Sequence, residues 1–344
     1  MKVTMEQVAQ KAGVSKALVS RFLNEKPGVS EKSRIRIKDA IDDLHYRLPG
    51  VRSGNVIALV LDGVSSFHAP LLSACSAAAL AEGYVMTIVD CFDNNAVKEK
   101  TADLISQGSV QGVLLYGSSI SDKTMIDIFI QNEIPLVLIE NNMPGVDVEK
   151  ILIDNFQGQH NITKYVIDRG FTDIRMIPWD LSTRAGAERL AGFLAALREH
   201  EVMTGNSYVC PPERPGFQGV FDIVSELRSL HNLPEVFVCS GDTIATYVLA
   251  SCVKLGIKVP EELSVTGFDG LSADIFAAWG PCLTTMRQPL SEMGGFAVKR
   301  LLRHIENPGE PPMKRMFHTE LVVGETVGLM ELNRRKEGPV LKGK

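Results

Sequence analysis

The sequence predicts a small all-α head followed by a two-lobed α/β body, in which helices cover parallel sheets. The first observation is length, because 344 residues exceed what one ordinary hydrophobic core holds. The second is charge: residues 1–54 carry eleven Lys or Arg against six Asp or Glu, whereas the remainder has 25 against 35. The third is periodicity, since short helical patterns fill the basic head and apolar strands alternate with amphipathic helices in the body.

The composition argues against several classes of protein. A chain that is 45% hydrophobic and 22% charged is typical of soluble globular proteins. Its longest apolar runs, such as residues 56–61, have the length of strands, so no membrane span is predicted. The opening residues MKVTMEQVAQKAG lack the apolar stretch of a secretory signal. The six cysteines form no CxxC pair, and we interpret them as reduced residues of a cytoplasmic protein.

The stretch VTMEQVAQKAGVSKALVSRFLN predicts two short helices around a tight turn. Thr4 can cap the first helix in a capping box with Gln7. Gly13 supplies the backbone freedom that the turn needs, and Ser15 can cap a second helix over residues 16–23. A third helix, with apolar residues at helical spacing, follows. This is the arrangement of a helix-turn-helix unit.

In a helix-turn-helix unit, the second helix enters the major groove of double-stranded DNA with its N-terminal residues foremost. The positive charge of the head favours a polyanionic partner, with a solvated charged face as the alternative. Arg21 can reach a guanine edge with two donors, with a salt bridge inside the head as the alternative. The predicted contacts to bases and phosphates are Thr4, Ser15, Lys16, Ala17, Ser20, Arg21, Asn24, Ser30, Ser33 and Arg34.

The body repeats the order strand then helix, which predicts parallel sheets with helices on both faces. The strands are too many for one compact sheet, so we expect two similar lobes. Ligands of such sheets bind beyond the carboxyl ends of the strands, which places a pocket in the cleft between the lobes. Strands are predicted at residues 56–62, 84–90, 110–116, 136–140, 174–178, 207–210, 236–240 and 263–269.

Six segments resemble the LacI/GalR family of bacterial transcriptional regulators. Two lie in the head, VTMEQVAQKAGVSKALVSRFLN and VSEKSRIRIKDAIDDLHY. Four lie in the body, DNFQGQHNITKYVIDRGFTDIRMI, ERLAGFLAAL, LSVTGFDGL and CLTTMRQPLSEMGGFAVKRLL. Together they extend over nearly the whole chain. The resemblance implies an effector domain with the fold of periplasmic sugar-binding proteins, whose two lobes are joined by crossovers near residues 153–156 and 285–289.

We therefore expect four parts in the chain. They are a helix-turn-helix DNA-binding domain at 1–46, a short linker at 47–55, an effector-binding and dimerisation domain at 56–330 and a tail at 331–344. Within the third part, lobe 1 is expected at about 56–155 plus 287–314. Lobe 2 is expected at about 156–286 plus 315–330.

The resemblance implies four effector contacts, namely Phe67, Glu140, Arg189 and Asp269. Carboxylates accept hydrogen bonds from the hydroxyls of a sugar, sugar phosphate or nucleoside. Arginine donates two hydrogen bonds in a fixed geometry. The alternatives are an interlobe salt bridge or a helix cap for the charged residues, and a core position for the phenylalanine. The chain also departs from the family at Gly241-Asp242, where members often have Asn-Asp, and this removes one amide contact.

The resemblance implies a transcriptional regulator, usually a repressor in this family, whose operator affinity responds to a small molecule in the cleft. No leucine heptad follows residue 332, so a homodimer is expected rather than a tetramer. Helices at 69–81 and 290–302 are candidates for its interface. The alternative is that their alanine-rich faces serve ordinary core packing.

No catalytic residue, metal ligand or cofactor is predicted. HExxH, GxSxG and GxGxxG patterns do not occur, and GPVLKGK lacks the flanking strand, helix and Ser/Thr of a phosphate-binding loop. A cytosolic solute-binding protein and an enzyme on the same two-lobed scaffold are the alternative functions. The attached head counts against the first, and the lack of a recognisable nucleophile counts against the second.

The linker RLPGVRSGN is shorter than in typical members of the family, by roughly half a dozen residues or nearly two helical turns. In such members a short helix at this place wedges paired leucines into the minor groove and kinks the DNA. Pro49, Gly50 and Gly54 all disfavour a helix here. We predict that this chain binds its operator without a hinge helix and with little central kinking.

Overall fold

The computed structural model describes residues 4–23, 28–44, 54–92, 94–117, 122–178, 180–202, 208–271 and 282–329. These residues form a three-helix head and two α/β lobes, as the sequence predicts. Asn24, most of the linker and the tail at 331–344 lie outside them. The predictions made for those parts therefore stay predictions.

Three short helices build the head, α1 (Met5–Ala12), α2 (Lys16–Leu23) and α3 (Glu31–Leu44). Val8, Ala12, Val19 and Ile37 are buried where the three helices meet. Val8 and Ala12 come from α1, whereas α2 and α3 each contribute one of the other two. The core is small, so the positions of the helices depend strongly on the turns and caps between them.

The predicted caps of the head are present. The Thr4 N–H donates to Gln7 Oε1 over 2.8 Å, and the Gln7 N–H donates to Thr4 Oγ1 over 3.3 Å. Gly13 has a φ of 61°, a left-handed conformation that glycine adopts at little cost. The Leu18 N–H donates to Ser15 Oγ over 3.2 Å at the start of α2. Together these bonds set the direction of α2, and hence the side chains that it exposes.

Lobe 1 contains a parallel sheet whose strands run in the order β10-β5-β4-β3-β1-β2. Side chains of β1 alternate between its two faces, so that Ile57 and Leu59 pack under α4 and α11, while Ala58 and Val60 pack under α5 and α6. The strands are β1 (Val56–Leu61), β2 (Val85–Asp90), β3 (Val113–Tyr116), β4 (Leu136–Ile139), β5 (Glu149–Ile153) and β10 (Lys314–Phe317). The helices are α4 (Ala69–Ala81), α5 (Asn95–Leu104), α6 (Asp122–Gln131) and α11 (Leu290–Glu306).

Lobe 2 contains a second sheet in the order β11-β9-β8-β7-β6, in which only the pairing of β11 with β9 is antiparallel among the described strands. One face packs on α7 and α8, and the other on α9 and α10. The strands are β6 (Ile174–Ile177), β7 (Val236–Cys239), β8 (Ser264–Asp269), β9 (Thr284–Arg287) and β11 (Glu320–Val322). The helices are α7 (Asn155–Asp168), α8 (Arg184–Glu199), α9 (Gly216–Ser229) and α10 (Asp242–Leu255).

The chain passes between the two sheets at three places in the described residues. The first is Asp154, between β5 and α7, and the second lies at residues 288–289, between β9 and α11. Both fall within the predicted crossover segments. The third lies at residues 318–319, between β10 and β11, and the sequence did not predict it.

Two sequence predictions about the sheets are wrong. The strand Lys314–Phe317 pairs with β5 in the first sheet, so the lobe boundary falls after Phe317 rather than after residue 314. Only Phe317 of this strand is buried, which leaves no alternating apolar pattern in the sequence. The described part of the predicted strand at 207–210 is a single bridge between Val209 and Met176.

Candidate functional site

The exposed side of α2 carries the residues predicted to contact DNA. Lys16, Ala17 and Arg21 are exposed and Ser20 is partly exposed, whereas Val19 is buried in the core of the head. Positions 16, 17, 20 and 21 share one face, because residues four apart lie one turn above each other. The structure thus presents these predicted contacts together on one surface.

Arg21 makes no ion pair with any residue in the described part of the chain, so the predicted alternative of a salt bridge within the head is not observed there. Lys16 Nζ lies 3.6 Å from Glu6 Oε1, and both side chains are well exposed, which makes this pair weak. The guanidinium of Arg34 lies 5.9 Å from the centre of the Phe22 ring. This contact holds Arg34 beside the end of α2.

Two predicted phosphate contacts also cap helices. The Ser33 N–H donates to Ser30 Oγ over 3.3 Å at the start of α3. Thr4, at the start of α1, is exposed and its hydroxyl is part of the capping box. Each of these residues therefore has a structural role in the head alongside its predicted contact with DNA.

A cavity of about 440 Å³ lies between the two lobes, within the size range of ligand pockets. All four residues predicted to bind an effector line its wall. They come from four separate segments: the turn before α4, the end of β4, the first half of α8 and the end of β8. The lining residues are Ser65, Phe67, Tyr116, Gly117, Glu140, Thr183, Ala185, Arg189, Ser240, Gly241, Thr243, Asp269, Leu271 and Gln288.

Glu140 lies at the end of β4 with a φ of 57° and bridges the two lobes. Its carboxylate accepts hydrogen bonds from the Ile153 N–H of lobe 1 and from Asn155 Nδ2, 3.2 Å away, at the start of α7. Arg184 Nη2, at the start of α8, lies 3.1 Å from each of its oxygens. The structure thus contains the interlobe salt bridge considered as an alternative for this residue. Burial raises the pKa of Glu140, and Arg184 opposes that rise.

Arg189 is held on several sides within lobe 2. Its Nε donates to Asn155 Oδ1 over 2.8 Å, and its Nη1 donates to the Ser240 carbonyl over 2.6 Å. Nη1 also lies 3.2 Å from Asp269 Oδ1, and the guanidinium lies 3.8 Å from the centre of the Phe268 ring. The stacking and the hydrogen bonds give the guanidinium a fixed orientation at the cavity wall.

Asp269 joins a second buried carboxyl group at the base of the cavity. Gln288 Nε2 donates to Asp269 Oδ1 over 2.8 Å. Burial raises the pKa of Asp269, while Arg189 lowers it. The neighbouring Asp242 accepts from Thr285 Oγ1 over 2.6 Å, and burial together with the charge of Asp269 raises its pKa to about 8. Two acidic groups thus share one desolvated region, and only one of them has an arginine partner.

Phe67 both lines the cavity and packs against the core of lobe 1, so its two predicted roles are compatible. The imidazole of His68 behind it is buried, and burial lowers its pKa. The ring of His68 meets the rings of Phe67 and Tyr116 edge to face, with centroids 5.2 and 5.1 Å apart. These contacts support the aromatic side of the cavity.

Three residues of the site were not found from the sequence. Arg184 pairs with Glu140, Asn155 joins Glu140 to Arg189, and Gln288 supports Asp269. The positions of Asn155 and Gln288 within the two predicted crossover segments were a signal that could have found both residues. Arg184 carries no local pattern, because its partner Glu140 lies far away along the chain.

Two classes of feature are missing from the described residues. They contain no helix that is both long and apolar enough to cross a membrane. They also contain no group of three or more His, Cys, Asp or Glu side chains arranged to hold a metal ion.

Comparison with protein families matches two parts of the chain. The family described as bacterial regulatory proteins, lacI family, matches residues 4–48. The family described as periplasmic binding protein-like domain matches residues 163–327. The first match covers the three helices of the head, and the second covers most of lobe 2.

Relatives with known names or structures align over nearly the full chain. The HTH-type transcriptional repressor PurR of Escherichia fergusonii is 28% identical over 339 residues, covering 94% of this chain and 96% of that protein. The transcriptional regulator CelR in complex with cellobiose has a TM-score of 0.71 at 24% identity, covering 94% of this chain and 100% of that one. The lac repressor dimer bound to operator and the anti-inducer ONPF has a TM-score of 0.68 at 19% identity, covering 95% and 99%.

The fold and the matches define a class of protein, a DNA-binding transcriptional regulator with a periplasmic-binding-protein-like effector domain. Within that class, residues 4–48 match the lacI family of regulatory proteins and the repressor PurR is a relative over nearly the full chain, as the sequence motifs predict.

Proposed function

We propose that this chain is a cytoplasmic transcriptional repressor whose operator affinity is controlled by a small molecule bound between its lobes. The observation that carries the proposal is the convergence of Phe67, Glu140, Arg189 and Asp269 on one cavity. The repressor named among its relatives supports the direction of control. The regulatory function of those relatives also supports a role without catalysis or a cofactor.

The proposed DNA contacts begin with the exposed face of α2. In a helix-turn-helix protein this face lies in the major groove, and the residues around it hold the phosphates. Arg21 is proposed to read a guanine, because it is exposed and makes no ion pair in the described part of the head. Ser30, Ser33 and Arg34 are proposed to contact the backbone.

We propose a homodimer, because two heads would read the two halves of a near-palindromic operator. The lac repressor dimer is a structural relative that supports this assembly. The inner faces of α4 and α11 pack on each other and on the first sheet, so only their outer faces are available to a partner. Exposed apolar side chains at Leu80, Val85 and Ile88 extend that surface along β2.

The proposed effector is a sugar, a sugar phosphate or a nucleoside. In the cavity, acidic groups can accept hydrogen bonds from such ligands, and hydroxyl groups can accept or donate them. Phe67 can stack on a ring of the ligand. The relative solved with cellobiose supports a sugar.

A gel-shift experiment tests the proposed function. The purified full chain should retard the DNA upstream of its own gene more than a scrambled fragment of equal length. Sugars and nucleosides that raise the melting temperature of the chain should change that retardation, since a ligand specific for the folded state stabilises it. Equal retardation of both fragments, with and without these compounds, would refute the proposal.

A further inference from the structure

We propose that the interlobe cavity selects uncharged, hydroxyl-rich ligands and rejects their phosphate esters. The inference rests on the proposed function, because it specifies the ligand of the same cavity. It distinguishes sugars and nucleosides from sugar phosphates as effectors, a distinction that the sequence alone does not make. Its basis is that each arginine described at the cavity already has a carboxylate partner.

Arg189 is the cation on the cavity wall. Its guanidinium already contacts Asp269, Asn155 and the Ser240 carbonyl, and it lies on the Phe268 ring. A phosphate group could take a bidentate position here only by displacing Asp269. That displacement would leave a buried carboxylate without its partner, which is costly in a desolvated site.

Arg184 lies next to the cavity, and nearby carboxylates neutralise its charge more completely than that of Arg189. Nη2 contacts both carboxylate oxygens of Glu140, and Nη1 lies 2.6 Å from Glu188 Oε2. One guanidinium therefore faces two carboxylates. The local charge around this arginine is negative, which disfavours an incoming anion.

The start of α10 also faces the cavity, and a helix N-terminus ordinarily attracts anions. Here the protein has filled that position itself, because the Asp242 N–H donates to the carboxylate of Asp269. Asp242 adds a second carboxyl group, hydrogen-bonded by the Leu271 N–H over 2.7 Å. The helix start is thus occupied by acidic side chains.

The sequence that directly follows two of the lining residues offers no further cation. Gly117 and Leu271 line the cavity, and the segments that directly follow them in sequence are 118–121 and 272–281. These segments contain no Lys, Arg or His, and their one charged residue is Asp274. The amino-acid composition of these two segments therefore excludes a compensating positive charge from them.

The remaining polar lining suits an uncharged ligand. Tyr116 and Thr243 bring hydroxyl groups to the cavity, and Asp269 brings an acceptor for ligand hydroxyls. A phosphate ester carries a charge of about −1.5 to −2 at neutral pH. The carboxylates of Glu140 and Asp269 would repel that charge, whereas they would not repel the uncharged parent compound.

The variant Glu140→Gln tests the charge balance directly. It keeps the size of the side chain but removes the carboxylate that neutralises Arg184 Nη2. The guanidinium then becomes available to an anion in the cavity. The matched control is Glu188→Gln, which removes another partner of the same arginine but lies outside the cavity lining.

The experiment measures ligand-induced melting shifts and calorimetric binding with the full chain. The probes are inorganic phosphate and three pairs: glucose with glucose 6-phosphate, ribose with ribose 5-phosphate, and adenosine with its 5′-monophosphate. The wild-type chain should show no saturable response to inorganic phosphate. Any pair that binds should favour the uncharged member by at least about tenfold. Glu140→Gln, but not Glu188→Gln, should gain a saturable response to phosphate.

Two results would overturn the inference: wild-type binding of an ester as tight as that of its parent, or a saturable wild-type response to inorganic phosphate. A folded Glu140→Gln variant without any gain would overturn the role given to Arg184. Should that variant not fold, the wild-type titrations still decide the selectivity. Failure of every uncharged probe would instead count against the proposed function, while the phosphate titration would still decide the inference.

Discussion

Asp269 combines a backbone conformation that is uncommon for a side-chain-bearing residue with a buried charge. Its φ is 120°, and its carboxylate faces Arg189 and Gln288 at the base of the cavity. Such backbone strain is tolerated where the surroundings hold it in place, and it is frequent at ligand sites. The conformation turns the carboxylate toward the cavity at the carboxyl end of β8.

Asp269→Asn should weaken effector binding by about ten- to a hundredfold, because a hydrogen bond to a charged acceptor contributes about 1.5–3 kcal/mol. The readout is the melting shift produced by the sugar that stabilises the wild-type chain. The control is Asp168→Asn, which changes an exposed partner of Lys164 on α7. An unchanged shift in Asp269→Asn would remove this residue from the ligand site.

Asp242 makes stability depend on pH. Because burial raises its pKa to about 8, the folded chain binds this proton more tightly than the unfolded chain does. The free energy of unfolding should therefore fall as the pH rises from about 4 towards 8. Urea unfolding at several pH values in this window measures the slope. Asp242→Asn should flatten it, and an equal slope in the variant would contradict the assignment.

Arg21→Ala should weaken binding to the operator by about 1–3 kcal/mol and relax the preference at one guanine. The reason is that Arg21 is exposed on the side of α2 that we propose faces the major groove, where its guanidinium would supply two donors to the base edge. A binding titration with single-base operator variants measures both effects. The control is Lys11→Ala. The wild-type Lys11 side chain lies away from that face and pairs with Asp43 at a distance of 2.9 Å. Unchanged specificity in Arg21→Ala would contradict base reading.

At the scale of elements, regular patterns in the sequence predicted the head and most of the strands. The capping residues Thr4 and Ser15 lie close in sequence to the N–H groups that they cap, so their roles were readable. Four strands, β5, β9, β10 and β11, were not predicted. Three of the four side chains of β10 are exposed, and β11 has only three residues. Their strand conformation depends on pairing with β5 and β9.

The site was predicted less completely than the fold. Glu140, Arg189 and Asp269 follow motifs that resemble the family, and the structure brings them to one cavity. The pairing of Arg184 with Glu140 joins residues 44 positions apart in different lobes. Such a contact depends on how the lobes meet, which local sequence patterns do not specify.

The short linker carries a prediction of its own. Without room for a hinge helix, the chain should bind its operator with little bending at the centre of the site. Gel shifts of circularly permuted operator fragments measure the bend. A lac-repressor control on its own operator calibrates the assay. A bend as large as that of the control would show that another part of this chain replaces the hinge helix.

At the scale of the whole molecule, the cavity is connected to two of the three described crossovers between the lobes. Asn155 directly follows the first crossover and contacts Glu140 and Arg189, while Gln288 lies in the second and contacts Asp269. A ligand that moves these side chains therefore acts where the chain passes between the lobes. We therefore propose lobe orientation as the element whose two states DNA and ligand both bias.

The most direct test of this account is a reciprocal binding measurement. Operator affinity of the full chain is titrated with and without a saturating sugar that binds the cavity, and sugar affinity is titrated with and without operator. The sugar should change operator affinity by about 5- to 150-fold, and operator should change sugar affinity by the same factor. Equal operator affinity in the presence and absence of the bound sugar would contradict it.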